Sequence, residues 1–557
     1  MIKYINNAGF KSFSQYMLLI ATPIILVTFS LFFITFFFFD ILIYIPFLFP
    51  FLGIMFIVFY PILKHEQKKL SIHEKIHLFI TYAGTLSTLK INRTMLFKKI
   101  AEEKEYGELR NIAEKIIYLA KKWNLGYAKT CRKIAKLTPS ELFKDFLDRL
   151  AAVLDFGEDL EVFLVEEQDA VMDDFANEYK QSIQNIKLLE DVFISLTISI
   201  AFAMSAALLL PLLMGVSIMV IIQYSLLGLV LMDLILIILI KGFIPSDKIC
   251  HDLNILDYGT KKILKSFFIL APISFFLIAV LVYLDFLPFL FNLAIGFTPL
   301  FFVGVLGSKE ENEVFKRDKA FPAFIRAVGG TASTKGGSIT TSLGALRVHD
   351  FGVLNSMLIN IYRRLKIGSD RFKCWLYFAG ETGSNLINYF IHIFVKSVYL
   401  GGDGIKISEI ISKNFSRLLA LRKLRLQLAS GLRGALYGAL LGFITTIYMS
   451  VSITQMLSKM FSSALGDAQG QDEMAELVSA IVPQIPPIDM VEVNLYIGII
   501  IIFHSLISAL IIKFVDGGNK YTAFFDFVIM VWIGTILSYV IPLISRWTFG
   551  NLHIVGG

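Results

Sequence analysis

Apolar residues along this chain gather into runs long enough to cross a bilayer. A spanning helix needs roughly 20 mostly apolar residues. About nine stretches qualify, near 16–39, 41–63, 192–214, 216–240, 267–285, 287–307, 434–456, 494–514 and 522–544. Pro23, Pro46, Pro211 and Pro272 fall inside them, and membrane helices tolerate proline better than soluble helices do. Two long polar stretches, about 64–191 and 308–432, interrupt the runs. Within them apolar residues recur at three and four: Ile112, Ile116, Leu119 and Ala120 in the first, and Leu386, Tyr389, Phe390 and Ile393 in the second. Strand-like alternation is scarce, so both stretches predict helical modules of roughly 125 residues. The expected fold is an all-α polytopic membrane protein with about nine transmembrane helices and two helical-bundle modules.

Composition supports this. The chain has 557 residues, is 56% hydrophobic and contains 51 phenylalanines, which is too apolar for an ordinary soluble protein. The first apolar run is too long for a cleavable signal and lacks a small-x-small site, so it is expected to be an anchor. Cys131, Cys250 and Cys374 lie far apart and suggest no disulfide framework.

Charge supplies an orientation. The stretch 308–432 carries 19 Lys/Arg against 9 Asp/Glu. Loop 241–266 is basic as well, with Lys241, Lys248, Lys261, Lys262 and Lys265 against three aspartates. Loop 457–492 carries Asp467, Asp472, Glu473, Glu476, Asp489 and Glu492 against Lys459 alone. Basic loops stay in the cytoplasm, so the acidic loop and the C-terminus are expected outside and the N-terminus inside. The domains then read 1–63, an N-terminal transmembrane hairpin; 64–191, a first cytoplasmic module; 192–307, four transmembrane helices; 308–432, a second cytoplasmic module; and 433–557, three transmembrane helices. The net charge of +7 follows from this asymmetry and calls for no nucleic acid. Inside the first module the charge is also uneven: 64–136 has 17 basic and 7 acidic residues, whereas 137–191 has 4 and 15. Such a module satisfies itself internally or presents faces of opposite sign to a partner.

The modules resemble each other. An offset of 245 pairs Phe79 with Phe324, Gly84 with Gly329 and Lys90 with Lys335. AKKWNLG (120–126) matches YRRLKIG (362–368), and turns bearing Gly and Asp, DFGEDL (155–160) and LGGDGI (400–405), follow in each. A repeat this long is a duplicated domain, not a solenoid period.

The second module opens FPAFIRAVGGTASTKGGSITTSLGAL (321–346). Phe321-Pro322-x-Phe324-x-Arg326, a small-residue helix, then Gly-Gly and an amphipathic segment, resembles the opening of the type II secretion F domain. That domain builds the inner-membrane platform of type IV pili, type II secretion systems and archaeal flagella, with two six-helix copies each feeding a membrane segment. Bacterial members typically have about three membrane helices. The extra crossings, the length and the wording around GGTASTKGGS make the chain similar to the archaellum platform family, FlaJ/ArlJ. The resemblance implies a scaffold with no catalytic site and no cofactor. It also implies a cytoplasmic hexameric ATPase docked on the modules, archaellin or pilin-like subunits as cargo, a part in filament rotation, and a homodimer. A platform for an archaeal pilus or secretion system is the nearer alternative.

Several residues invite other readings. His73-Glu74-Lys75-Ile76-His77 fits H-E-x-x-H, in which two histidines share a helix face and the glutamate serves as base. An integral membrane zinc protease using His73, Glu74 and His77 is therefore the alternative of another class, with Glu102 or Glu103 as third ligand by spacing. Against it, Lys75 occupies a position that zinc proteases keep uncharged. The repeat also sets Asp318 and Pro322 opposite the two histidines, so a polar helix face is the expected role. GGTASTKGGS is no P-loop, because Lys335 precedes Gly336-Gly337 and no strand leads in; a flexible turn is expected. Arg417, Arg422, Lys423 and Arg425, with Arg433 nearest the seventh crossing, suit either lipid headgroups, at about 1 kcal/mol each, or an ATPase-docking face. Gly434, Gly438 and Gly442 form a bare stripe for helix packing within the chain or between copies. Asp233, His504 and Asp526 sit in or beside apolar spans. Hydrogen bonding between helices is their expected role, with a proton path or subunit-handling site as the alternative.

Overall fold

The computed structural model describes residues 13–17, 21–25, 28, 30, 45–89, 92–208, 218–245, 247–251, 253, 255, 258–284, 287–334, 339–468 and 490–550. After a helical turn at Phe13–Tyr16, the first half runs α1 (Ile45–Ser87), α2 (Arg93–Glu102), a 3-10 turn (Lys104–Tyr106), α3 (Glu108–Lys122), α4 (Tyr127–Ala135), α5 (Glu141–Phe156), α6 (Leu160–Ala207), α7 (Ile218–Phe243) and α8 (Tyr258–Leu284). The second half repeats that succession. It runs α9 (Phe289–Thr334), α10 (Ile339–Leu346), a 3-10 turn (Gly352–Leu354), α11 (Asn355–Lys366), α12 (Arg371–Thr382), α13 (Asn385–Tyr399), α14 (Gly404–Ala468), α15 (Met490–Asp516) and α16 (Ala523–Gly550). The repeat thus reaches beyond the polar modules and takes in the membrane helices after them.

Local chemistry sets the helix ends. Asn92 and Asp370 open α2 and α12, each side chain accepting from a backbone N–H three residues on, at 2.8 Å. The matched motifs 120–126 and 362–368 end on Gly126 and Gly368, with φ of +73° and +84°, where a residue with a Cβ is strained.

Seven helices among the described residues are long and apolar enough to span a membrane: α6, α7, α8, α9, α14, α15 and α16. Each carries one of the seven runs expected from 192 onward, so the expected nine becomes seven here. The run 16–39 lies for the most part outside the described residues, and 41–63 enters α1 at Ile45 without being one of the seven. Lys90, Lys335 and the turn at 335–338 also lie outside them, as does 469–489 of the acidic loop.

By contact the chain forms two compact units. One comprises 1–178, 323–346 and 389–415; the other comprises 179–322, 347–388 and 416–557. The division cuts through 308–432, which the sequence reads as one separate module. The cause lies in the first unit, where α13 and the start of α14 bury apolar faces. Phe390 and Phe415 pack edge to face at 5.3 Å, and Thr85 receives a hydrogen bond from Ser397 at 2.9 Å. Asn414 donates to Thr81 and Gln168 at 2.9 and 3.1 Å. This unit's core also holds an aromatic cluster, with Phe79 against Phe143 and Phe146 at 5.4 and 5.7 Å. Ile112, Ile116 and Ala120 are buried there as the helical period predicts.

In the second unit α15 is central. Of its most apolar window, 61% is buried, against 6% for α8. Leu440, Ile444 and Ile447 of α14 join Ile497 and Ile501 of α15 and Ile222 and Leu229 of α7 in one apolar cluster.

Candidate functional site

The zinc-like motif lies on α1 in the first unit. His73 Nδ1 is 2.5 Å from Glu178, and the His77 ring packs on Phe175 at 4.7 Å. Lys75 donates to the Tyr389 hydroxyl at 2.7 Å. Glu102 pairs with Lys99. Among the described residues no three His, Cys, Asp or Glu side chains group as a metal site would require. His73 and Lys75 of the motif thus bind α6 and α13 of the bundle. Cys131 is buried, which pushes its thiol up to about 12 and keeps it protonated and unreactive.

Glu103 is a hub that the sequence reading offered only as a third zinc ligand. It is 6% exposed. His392 lies 3.2 Å from it and the Lys396 ammonium donates to both of its oxygens. Burial pushes this carboxyl up, but the hydrogen bonds and charges of His392 and Lys396 outweigh it and hold the carboxyl below its ordinary 4.5. A carboxyl depressed on folding stabilises above its unfolded value and loses that contribution as pH falls through the folded one. Thermal stability should therefore decline as pH drops below about 4.5, and Glu103→Gln should flatten that decline. Thermal scans of both proteins from pH 7 to 3 check this; parallel curves would contradict it.

Gly84 and Gly329, paired by the repeat, do the same work. A Cβ on Gly84 would lie 1.8 Å from the Gln168 amide on α6. One on Gly329 would lie 2.2 Å from Ser408 Oγ and 2.3 Å from the Gly404 carbonyl on α14. Each module thus closes its entering helix on its leaving helix at a bare glycine.

The arginines before the seventh crossing divide. Arg422 is 4% exposed and Arg425 3%, so both point into the second unit. Arg422 donates twice to the Asp247 carboxylate at 2.6 Å and once to Asp318 at 2.9 Å. Ser384 also donates to Asp318. Arg425 donates to the carbonyls of Asp247, Phe514 and Val515. Neither is available as an exposed docking or lipid-contacting charge, and the reason is electrostatic: two acids and four carbonyls inside the unit, Lys248 O among them, need them. Arg417 is half-buried and Lys423 exposed.

This clasp also fixes loop 241–266. Ile249 N–H donates to Gly517 O, His251 N–H to Gly383 O, and Asn385 N–H to Ile249 O, at 3.0–3.2 Å. A segment read from its lysines as a basic cytoplasmic loop thus also works as a tether through residues 249 and 251.

Phe321 and Phe324 are fully buried, Pro322 is half-buried and Arg326 exposed. Asp233 and His504, both within 1% of fully buried, meet at 3.0 Å between α7 and α15. Asp526 receives hydrogen bonds from Arg433 and from the Tyr437 hydroxyl, each at 2.7 Å. Arg433, read as suiting lipid headgroups or a docking face, is engaged in this ion pair. A Cβ on Gly434, Gly438 or Gly442 meets nothing within 4 Å, so no described helix packs on that stripe. Packing inside the chain uses other glycines, such as Gly304, where a Cβ would lie 2.3 Å from the Phe525 backbone.

Contacts also recur at the repeat offset. In the first unit Lys406 pairs with Glu161 at 3.0 Å and Lys413 with Asp169 at 2.8 Å. In the second, Ser205 and Ser450 hydroxyls lie 2.6 Å apart and Thr454 donates to Leu208 O at 2.9 Å. The separations are 244–246 residues, so corresponding positions of the two halves face each other.

The family model described as type II secretion system protein F matches residues 79–210. A curated relative named Flagella accessory protein J, from Methanocaldococcus jannaschii, is 34% identical over 549 residues, covering 96% of each chain. A protein of the same name from Methanococcus voltae is 30% identical over 497 residues, covering 87% of this chain and 88% of its own. No solved structure matches.

Proposed function

The chain belongs to the flagella accessory protein J family of archaellum assembly platforms, multi-pass cell-membrane proteins built on the type II secretion F domain, and from that premise we propose that it couples a cytoplasmic hexameric ATPase to filament assembly and rotation. The observation that carries the proposal is similarity to Flagella accessory protein J over 96% of both chains. That extent favours the archaellum over a pilus platform and a scaffold over a zinc protease. In this reading the protein performs no chemistry of its own. The ATPase works on the modules, and archaellin or pilin-like subunits are handled among the membrane helices.

The repeat supports an orientation. Four of the nine expected apolar stretches, 192–214, 216–240, 267–285 and 287–307, separate the two modules, and an even number of crossings returns the chain to the side it left. Both modules then share one side, which the basic loops make the cytoplasm; the N-terminus is inside and the C-terminus outside. The exposed stripe Gly434, Gly438 and Gly442 supports a homodimer seam, since bare helix faces approach closely in lipid.

Purified full-length protein in nanodiscs should bind the secretion ATPase encoded in the same genome and travel with it through size exclusion. Absence of any complex at micromolar concentrations of both would contradict the coupling role.

A further inference from the structure

An open groove of about 540 Å³ lies in the first unit between the start of α6 and the start of α14. Asp159, Glu161, Glu166, Asp169 and Glu409 line it, against Lys406 and Lys413. The two lysines are engaged, with Glu161 and Asp169 respectively. Three further carboxylates, those of Asp159, Glu166 and Glu409, are exposed, and Asp159 also accepts from the Glu161 N–H at 2.8 Å. Val162 and Val165, 54% and 42% exposed, stand among them.

The two ion pairs join corresponding positions of the repeat. A homodimer must face each residue on its axis with its own copy, so like charges would meet there. A duplicated chain escapes that constraint, and here one half supplies the acids and the other the bases. The walls are thereby fixed to each other and the groove has a single polarity, suited to one occupant in one direction.

We propose that this groove receives a basic amphipathic helix of the motor ATPase, its Lys/Arg face on Asp159, Glu166 and Glu409 and its apolar face on Val162 and Val165. The proposal rests on the coupling role above. Charge selects the occupant. An anionic lipid surface would be repelled, and the groove residues stand more than twenty positions from the apolar runs of their helices.

The test is the affinity of the full chain in nanodiscs for the ATPase at low and high salt. Glu166→Lys combined with Glu409→Lys should weaken binding at least tenfold and reduce its salt dependence. The melting temperature should be unchanged, because both side chains are exposed. A photo-crosslinker at Val165 should capture a basic segment of the ATPase. If the unmodified chain binds and the double variant stays within twofold of it, the groove is overturned while coupling stands. Capture of lipid alone at Val165 overturns it too. If the unmodified chain fails to bind, coupling and groove fall together.

Discussion

Arg422→Ala should cost about 3–5 kcal/mol, the range for removing one partner from a buried ion pair. The guanidinium holds Asp247 and Asp318 at once and is itself buried. Without it, Asp318, 1% exposed, would keep only its hydrogen bond from Ser384 among the contacts described above. Asp247 would lose both side-chain bonds that anchor the tether after α7. The penalty arises from stranded carboxylates more than from a lost attraction, so it should be partly reversible. Arg422→Met together with Asp318→Asn and Asp247→Asn should recover a good part of the loss. Thermal unfolding and folded yield in detergent measure both. A single variant as stable as the parent would mean that the clasp does not hold this unit. Reversal of Arg422, Lys423 and Arg425 together would therefore report on folding; Lys423→Glu alone is the variant that probes docking.

Gly329→Ala should destabilise by about 1–3 kcal/mol, the usual cost of overpacking, and should do so more than Gly84→Ala. The repeat makes the two glycines equivalent, but their neighbours differ. At Gly84 the obstacle is the far end of Gln168, which can turn aside at the expense of its bond to Asn414. At Gly329 the obstacle includes the Gly404 carbonyl, and backbone at the start of α14 can move only by separating two helices. Gly84→Ala should be rescued by Gln168→Ala, whereas Ser408→Ala should rescue Gly329→Ala only in part. Melting temperatures of the four variants test the ordering. Equal losses at both glycines would contradict it.

Much of this architecture was legible in the sequence because its causes are local. A run of twenty apolar residues has few fates other than a membrane helix, and the period of Ile112, Ile116 and Ala120 fixes the buried face of α3. The glycine pair was visible through the repeat alone, although what each glycine touches was not. Arg422 and Arg425 were misread for a physical reason. A row of cations before a membrane crossing looks the same whether it meets lipid, a partner or buried acids. Asp247 lies 175 residues from Arg422 and Asp318 lies 104 away, with no local spacing to announce either. Glu103 drew attention through a zinc-like motif, and its partners His392 and Lys396 come from the other half of the chain. The repeat offset announces a different set of long-range pairings, such as Lys406 with Glu161 and Ser205 with Ser450, 245 residues apart; the partners of Glu103 and Arg422 fall outside it.

As the membrane platform for the archaellum, this protein should be indispensable for the motility filament. Deleting its gene, restoring it, and counting surface filaments by electron microscopy tests this most directly. The account predicts cells that lose their motility filaments, keep their other appendages and regain the filaments on complementation. Cells that keep every kind of filament after deletion would contradict it.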